Sequence, residues 1–477
     1  MLNRIMGMIA RRVRLAAVYG AGLEGAAALE FTGEEHVVYA SPYEMQRLSR
    51  HIRCRYRAGI MCLLLCSAPF LAAQSEGDPR RGDALTVKIA VLGPGDELYF
   101  WWGHIGLIIE DGITGRARFY DYGQFSFEQD HFFVNFALGR LLYSCGASSA
   151  ETTIRAYIRA NRDVTLYTLD LPPKKRGEIR DFAETHILPE NRNYYYHHFR
   201  DNCATRIRDI LDLATDGQFK ARFSKAQGRY TLRQHIRRHT WFSPFFDWLL
   251  NFLMGQDIDT PITIWEEMFL PGEIGRRIED FSYHDREGNE RKLVASVEVR
   301  NRAINRPAVL DTPPRQWIRA LLAGLGIAGA LGAIRGIRNW WPALYHLLWG
   351  LTQSGLGLFF GIAGSLLFFM SFFTNHDYTY HNSNILFINP LLLGAVPLGF
   401  ILAFGKHPAK RFLAEAVLKA LWCAMLFGSV LSMVIKCFPG FYQQNQVSQA
   451  LVIPFALILS GVPLWVGEAI HYKKRAS

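Results

Sequence analysis

Two side chains in this chain have the chemistry of a nucleophile and its base, Cys203 and His104. Cys203 falls in residues 194–213, YYYHHFRDNCATRIRDILDL, where an aromatic and histidine-rich approach runs into Ile207, Ile210, Leu211 and Ala214 at the spacing of one buried helical face. Asp201 is a favoured N-cap residue, so the cysteine is expected in the first turn of a helix, where the positive end of the dipole favours the nucleophilic thiolate. A thiol and an imidazole in contact can attack an ester or amide carbonyl and carry the acyl group as a thioester until a second nucleophile resolves it. Backbone N–H groups at the helix start are aimed to hold the oxyanion. The competing structural roles are a small buried cysteine, a half-buried strand histidine, or a Cys145–Cys203 disulfide in an oxidising compartment.

The elements that must bring the two together are legible in part. Residues 86–92 read as a strand, Gly93-Pro94-Gly95 as a turn, and residues 99–110, YFWWGHIGLIIE, as a second strand carrying His104. The turn DGITG returns the chain into a third strand at 116–127. If Glu110 pairs with Arg116, His104 lies opposite Tyr122, because paired numbers in an antiparallel ladder keep a constant sum. A one-residue shift would bring Gly123 opposite instead and exchange which of Tyr122 and Asp121 shares a face with His104. Tyr122 is the preferred group to orient the imidazole, with Asp121 in reserve. Residues 134–143 and 150–161 look helical, 164–171 looks like a strand, and 173–188 is an amphipathic helix. The aromatic stretch 241–254 fits a bilayer surface or a closed core, and 255–271 fits core packing or membrane contact equally.

Composition places this chemistry beside a membrane. Half of the residues are hydrophobic, with 33 Phe and 11 Trp, and these crowd the last third of the chain. Apolar spans near 317–334, 344–373, 385–404, 412–437 and 449–470 approach or exceed the roughly 20 residues needed to cross a bilayer. If residues 75–315 lie outside, the basic clusters Arg335/Arg338, Lys406/Lys410/Arg411 and Lys473/Lys474/Arg475 all fall on the cytoplasmic side, as the positive-inside rule requires. The +11 net charge therefore belongs to topology; no basic stripe interleaves with stacking aromatics, which argues against nucleic acid as a partner. Residues 374–384, TNHDYTYHNSN, would form an outer loop rich in hydrogen-bonding groups, a candidate for lipid headgroup binding.

Residues 1–44 show no clear pattern and read as an over-long start or a leader, with Met45 an equally sensible initiator. Arginines 47, 50, 53, 55 and 57 then precede an apolar run to Ala73, the pattern of a secretory signal cut near Ala73 or Gln74 or kept as an anchor. The domain division is thus 1–74 leader and signal, 75–315 soluble domain, 316–477 membrane domain. No His, Cys, Asp and Glu spacing suggests a metal, and no cofactor is expected.

The order of a strand histidine followed by a cysteine at a helix start resembles the permuted relatives of NlpC-type cysteine peptidases, the lecithin:retinol acyltransferase-like group. A closer resemblance rests on several blocks in matching order: LGPGDELYFWWGHIGLIIEDG, FYDYGQFSF, LPENRNYYYHHFRDNCATRIRDIL and GQDIDTPITIWEEMFLP, followed by membrane spans. These are similar to the bacterial Lnb-type family. The resemblance implies an α+β fold, a permuted papain or NlpC-like thiol domain with an antiparallel sheet and a Cys-bearing helix, followed by an α-helical membrane bundle. It also implies lipoprotein N-acylation, in which an acyl chain passes from a phospholipid or lipoprotein ester to the amino-terminal cysteine amine of a diacylglyceryl lipoprotein, on the periplasmic side of the inner membrane.

Carried over by motif, Cys203 would be the nucleophile and His104 the base, with Tyr122 or Asp121 beside it. Asn202 and Arg206 of the DNCATR block, Tyr195, and His376, His381 and Asn382 of the outer loop are the candidate substrate-binding residues. The chain departs from the family pattern in having Trp-Trp before Gly-His and in the long segment before its signal. A membrane-anchored cysteine hydrolase, acting on phospholipid or cell wall, would use the same dyad; a receptor or assembly factor would not need it.

Overall fold

The computed structural model describes residues 82–125 and 131–462; the expected leader and signal, residues 126–127 of the third expected strand and residues 463–470 of the last expected span lie outside them. The soluble part opens with β1 (Leu85–Leu92), β2 (His104–Asp111) and β3 (Arg116–Gln124), then α1 (Phe132–Ala137), β4 (Leu142–Ser149) and α2 (Ala150–Arg159). Next come β5 (Val164–Leu169), α3 (Pro173–His186), β6 (Asn193–Tyr195) and α4 (Cys203–Ala214), which carries the candidate nucleophile. Helices α5 (Gln218–Phe223), α6 (Leu232–Thr240), α7 (Pro244–Leu253), α8 (Ile264–Glu267) and α9 (Pro271–Ile278) follow. The small ribbon β7 (Ser282–His284) with β8 (Glu290–Lys292), and then β9 (Val294–Asn301), complete the domain.

Seven strands form one antiparallel sheet in the order β6-β4-β3-β2-β1-β5-β9. Strand periodicity sends alternate residues to opposite faces, and the two faces have different partners. Ile105, Leu107, Ile109, Tyr120 and Tyr122 pack on one side against Ala204, Ile207, Ile210 and Leu211 of α4. On the other side Ile108 and Phe119 meet Ala150 and Ile154 of α2.

Three local expectations change. The apolar run 99–110 is not one strand: Leu98–Phe100 is a 3-10 turn and β2 begins only at His104. The reason is Gly103, at φ +79°, a conformation that L side chains resist, with its backbone close against the Leu92 carbonyl. The expected helix at 134–143 stops at Ala137, because Gly139 turns the chain at φ +74°, and β4 starts at Leu142. The edge strand β9 went unrecognised, since its alternating residues are mostly exposed and carry little hydrophobic signal.

The membrane part contains α10 (Trp317–Gly336), α11 (Pro342–Phe373), α12 (Ala395–Phe404), α13 (Pro408–Val434) and α14 (Gln446–Ser460). Four segments, Trp317–Gly336, Pro342–Phe373, Ser383–Phe404 and Pro408–Cys437, are long and apolar enough to cross a membrane. The fifth, α14, is shorter over the described residues. Glycines let the bundle close tightly: a Cβ on Gly350 would lie 2.3 Å from the Gly399 carbonyl oxygen.

The soluble domain is built onto this bundle. Trp248, Phe252 and Leu253 of α7 share a core with Phe360 and Phe387, and Trp248 stacks on Phe359 at 5.5 Å. The aromatic stretch 241–254 therefore joins the two parts, while Phe245 remains half-exposed at its edge. Ile258, Met268, Phe269 and Leu270 are buried, so 255–271 is core.

Candidate active site

The β2–β3 ladder pairs Glu110 with Ala117 and Gly106 with Asp121, one residue away from the register first expected. That single step puts Asp121 on the His104 face. His104 Nε2 lies 2.9 Å from Asp121 Oδ1. Tyr122 is corrected accordingly: it points into the opposite core, 1% exposed, with its hydroxyl unpartnered. A carboxylate can only accept, so Nε2 carries the proton and Nδ1 is the nitrogen left to gain or lose one. Nδ1 makes no hydrogen bond among the described residues.

Irregular pairing between Asp121 and Gln124 shapes this contact. The Gly123 N–H donates to Asp121 Oδ1 at 2.7 Å, fixing the carboxylate. A Cβ on Gly123 would stand 2.7 Å from His104 Cε1. The bulge thus sets the carboxylate and leaves the ring its space. Gly123→Ala is expected to lower turnover about 10²-fold by displacing the imidazole, with the circular-dichroism spectrum of the native chain retained; wild-type turnover in this variant would mean that the ring has room to spare.

The Tyr157 ring of α2 lies parallel to His104, 8° between planes and 6.2 Å between centroids. Its other neighbour is the Arg162 guanidinium, 4.5 Å from the ring centre. Burial works against charge on His104, but Tyr157, Asp121 and Cys203 more than offset it and hold its pKa well above the ordinary value. For Asp121 burial opposes ionisation too, and the His104 charge with the two hydrogen bonds keeps its pKa low.

Cys203 is the first residue of α4, half-buried. The cap is Asn202 rather than Asp201. Asn202 Oδ1 accepts from the Ala204 and Thr205 N–H groups at 2.8 and 2.9 Å, and Thr205 Oγ1 accepts from the Asn202 N–H at 2.8 Å. The Asn202 amide also donates to the His198 and Phe269 carbonyls. The cap therefore occupies two of the first-turn donors expected to serve an oxyanion, and among the described residues the Cys203 N–H has no partner. Asn202→Ala removes a cap and strands two carbonyls, together about 2–4 kcal/mol. The thermal midpoint of the solubilised chain is expected to fall; an unchanged midpoint would refute the capping role.

Cys203 and Cys145 are both free thiols, so no disulfide links them. Burial pushes the Cys145 thiol up to about 11, which leaves it protonated and inert. No hydrogen bond joins Cys203 to His104; they are linked by charge, a negative Cys203 favouring the imidazolium.

Of the remaining candidates, Arg206, His376 and Asn382 are engaged in hydrogen bonds within the protein, while Tyr195 and His381 are exposed. Asp201 holds Arg206 through two hydrogen bonds of 2.6 and 2.8 Å, and Arg206 covers the Tyr194 ring at 4.3 Å. Tyr195 is exposed on the edge strand β6. The outer loop is docked rather than open. Asp377 accepts from His197 Nε2 at 2.9 Å and from Arg200 at 3.0 Å, tying the loop to the approach that leads into Cys203. His376 is buried, its Nε2 donating to the Phe136 carbonyl and its Nδ1 accepting from Tyr378. Asn382 is buried between the Phe252 carbonyl and Gln443. His381 is exposed, 3.3 Å from Asp257.

Neither histidine of the approach competes as a base. His197 is held by Asp377, and burial together with His197 and His376 pushes His198 down to about 3. Tyr157 and Arg162 were missed because nothing in their local sequence points to the site; they arrive there through the packing of α2 on the sheet.

Residues 80–238 match the family model described as the Lnb N-terminal periplasmic domain. This segment is similar to the Lnb N-terminal periplasmic domain. The match spans both His104 and Cys203 and agrees with the resemblance carried by the sequence blocks. No curated protein and no solved structure matches the chain. The match to a periplasmic domain, together with four helices long and apolar enough to cross a bilayer, supports a membrane protein. Among the described residues no cluster of three or more His, Cys, Asp or Glu side chains could hold a metal ion.

Proposed function

We propose that the Lnb domain is a thiol acyltransferase that moves an acyl chain from a lipid ester to the amino-terminal cysteine amine of a lipoprotein. The observation that carries this reading is an imidazole held by a carboxylate at 2.9 Å, in a domain whose Cys203 stands at a helix start.

Cys203 sulfur attacks the ester carbonyl, and His104 Nδ1 holds the proton that leaves the thiol. The Cys203 N–H is the donor available to the oxyanion. Collapse breaks the ester C–O bond, His104 returns the proton to the departing alkoxide, and the acyl group stays on sulfur. The lipoprotein amine then attacks the thioester and loses its proton through His104. An amide forms and Cys203 is regenerated.

We read the domain as a permuted papain-like unit, because a helix-borne cysteine packs on an antiparallel sheet whose earlier strand supplies the histidine. The basic clusters between spans support an inner-membrane location with the domain facing the periplasm. Holding donor and acceptor at one bilayer face converts their encounter into a local one.

The test is mass spectrometry of lipoprotein amino termini in bacteria with this chain as their sole candidate acyltransferase, and in the same cells without it. Acyl-amide that depends on the chain is expected. Amide present equally in both would overturn the reading, and lysophospholipid or cell-wall fragments appearing instead would identify a hydrolase.

A further inference from the structure

Resting on this acyl-transfer reading, we propose that a cleft between α1 and the start of β4 is the donor-chain subsite. It holds part of one acyl chain of a glycerophospholipid from the outer leaflet, with Arg140 on the headgroup phosphate.

The cleft measures about 240 Å³ and is walled by Phe132, Phe136, Leu141 and Leu142, with Asn135, Arg140 and Tyr143 as its polar members. It is smaller than the ~300 Å³ at the low end of pockets for drug-sized ligands, so it accepts a segment of one chain while the rest stays in the leaflet. Tyr143 connects it to the nucleophile. Its ring stacks on Tyr196 at 4.1 Å, and Tyr143, Tyr196 and Cys203 all pack against the same core.

The opposite side of the cleft leads to the membrane. The Leu138 carbonyl accepts from the Asn375 N–H at 2.9 Å, and His376 donates to the Phe136 carbonyl at 3.1 Å, so α1 is fastened just beyond the outer end of α11. At 32 residues α11 is about 48 Å long against a hydrocarbon core of ~30 Å. Its surplus is not polar: Phe368, Phe369, Phe372 and Phe373 are exposed. Phe133 and Phe136 of α1 continue that surface at 74% and 50% exposure. An apolar face of this extent, continuous with a lipid-facing helix, fits hydrocarbon rather than water. Arg140 is exposed, and its guanidinium has no ion-pair partner among the described residues, which suits a phosphate at the rim.

The experiment uses the full chain carrying Cys203→Ala in phosphatidylcholine vesicles, so that labelling needs no turnover. A phosphatidylglycerol with a diazirine at the end of one chain is photolysed, and adducts are mapped by peptide mass spectrometry. The same is done with diazirine-bearing diacylglycerol and diacylglyceryl lipopeptide. Labelling of residues 132–143 is expected, about tenfold stronger for phosphatidylglycerol than for diacylglycerol, with R140Q erasing the difference. Label confined to the membrane helices, equal labelling by the two lipids, or preference for the lipopeptide would overturn the proposal. N-acylation by the wild-type chain without cleft labelling sinks this subsite alone; cleft labelling without N-acylation sinks the acyl-transfer reading and leaves a lipid site.

Discussion

Cys203→Ala is expected to eliminate chain-dependent N-acylation, and His104→Ala to slow it about 10²- to 10⁴-fold. The two losses differ in kind. Without the sulfur no thioester can form, so nothing carries the acyl group from the donor ester to the acceptor amine. Without the imidazole the thiol keeps its proton and the departing alkoxide has no acid, yet a slow reaction through solvent protons remains. Fold is a small concern for the first change, since Cys203 is only half-buried and its helix is capped by Asn202 and Thr205. Reconstituted protein with a fluorescent acyl donor should show a gel-stable, hydroxylamine-sensitive label on the wild type and none on Cys203→Ala. Label retained on that variant, or full activity in either, would remove the dyad from the mechanism.

Asp121→Asn is expected to lower turnover by about 10² or more and to move the alkaline limb of the pH profile to lower pH. The magnitude follows from the tautomer. A carboxylate forces the proton onto Nε2, whereas an asparagine amide can donate to Nε2 and stabilise the form protonated at Nδ1, the nitrogen that must receive the thiol proton.

The direction of the pH effect follows from linkage. His104 has a raised folded pKa, so its charged form contributes stability in full below the ordinary value of about 6.5 and loses it as pH rises through the raised value. Asp121 has a lowered folded pKa; its contribution is present above the ordinary value of about 3.9 and is lost as pH falls through the lowered one. The ion pair is therefore intact between those limits. Removing the Asp121 charge and hydrogen bond lowers the upper limit. A variant that loses rate with an unmoved limb would show that Asp121 supports the fold and not the imidazole.

The docked outer loop changes how the membrane part contributes. Residues 374–384 had the composition of a headgroup binder, but the Asp377 carboxylate accepts from His197 and Arg200, the His376 imidazole bonds the Phe136 carbonyl and Tyr378, and the Asn382 amide bonds the Phe252 carbonyl and Gln443. The loop ties the cysteine approach to the end of the helical bundle. Those polar side chains could serve a ligand or another part of the protein, and composition is the same in both cases.

What the amino-acid order determined alone was whatever depends on neighbours in sequence. Gly, Asp and aromatic spacing set the β2–β3 hairpin; the apolar face through Ile207, Ile210 and Leu211 set the α4 helix; long apolar runs set the membrane helices. Cys203 at a helix start and His104 on a strand follow from such local rules. Tertiary structure decided which side chain meets the imidazole. A strand ladder one residue longer or shorter is nearly equal in local preference, and only the packing of Tyr120 and Tyr122 under α4 and of Phe119 under α2 distinguishes the two registers. Because side chains alternate every residue along a strand, that choice turned Asp121 toward His104 and buried Tyr122 on the far side, and it made Gly123 the residue whose missing side chain leaves space for the ring.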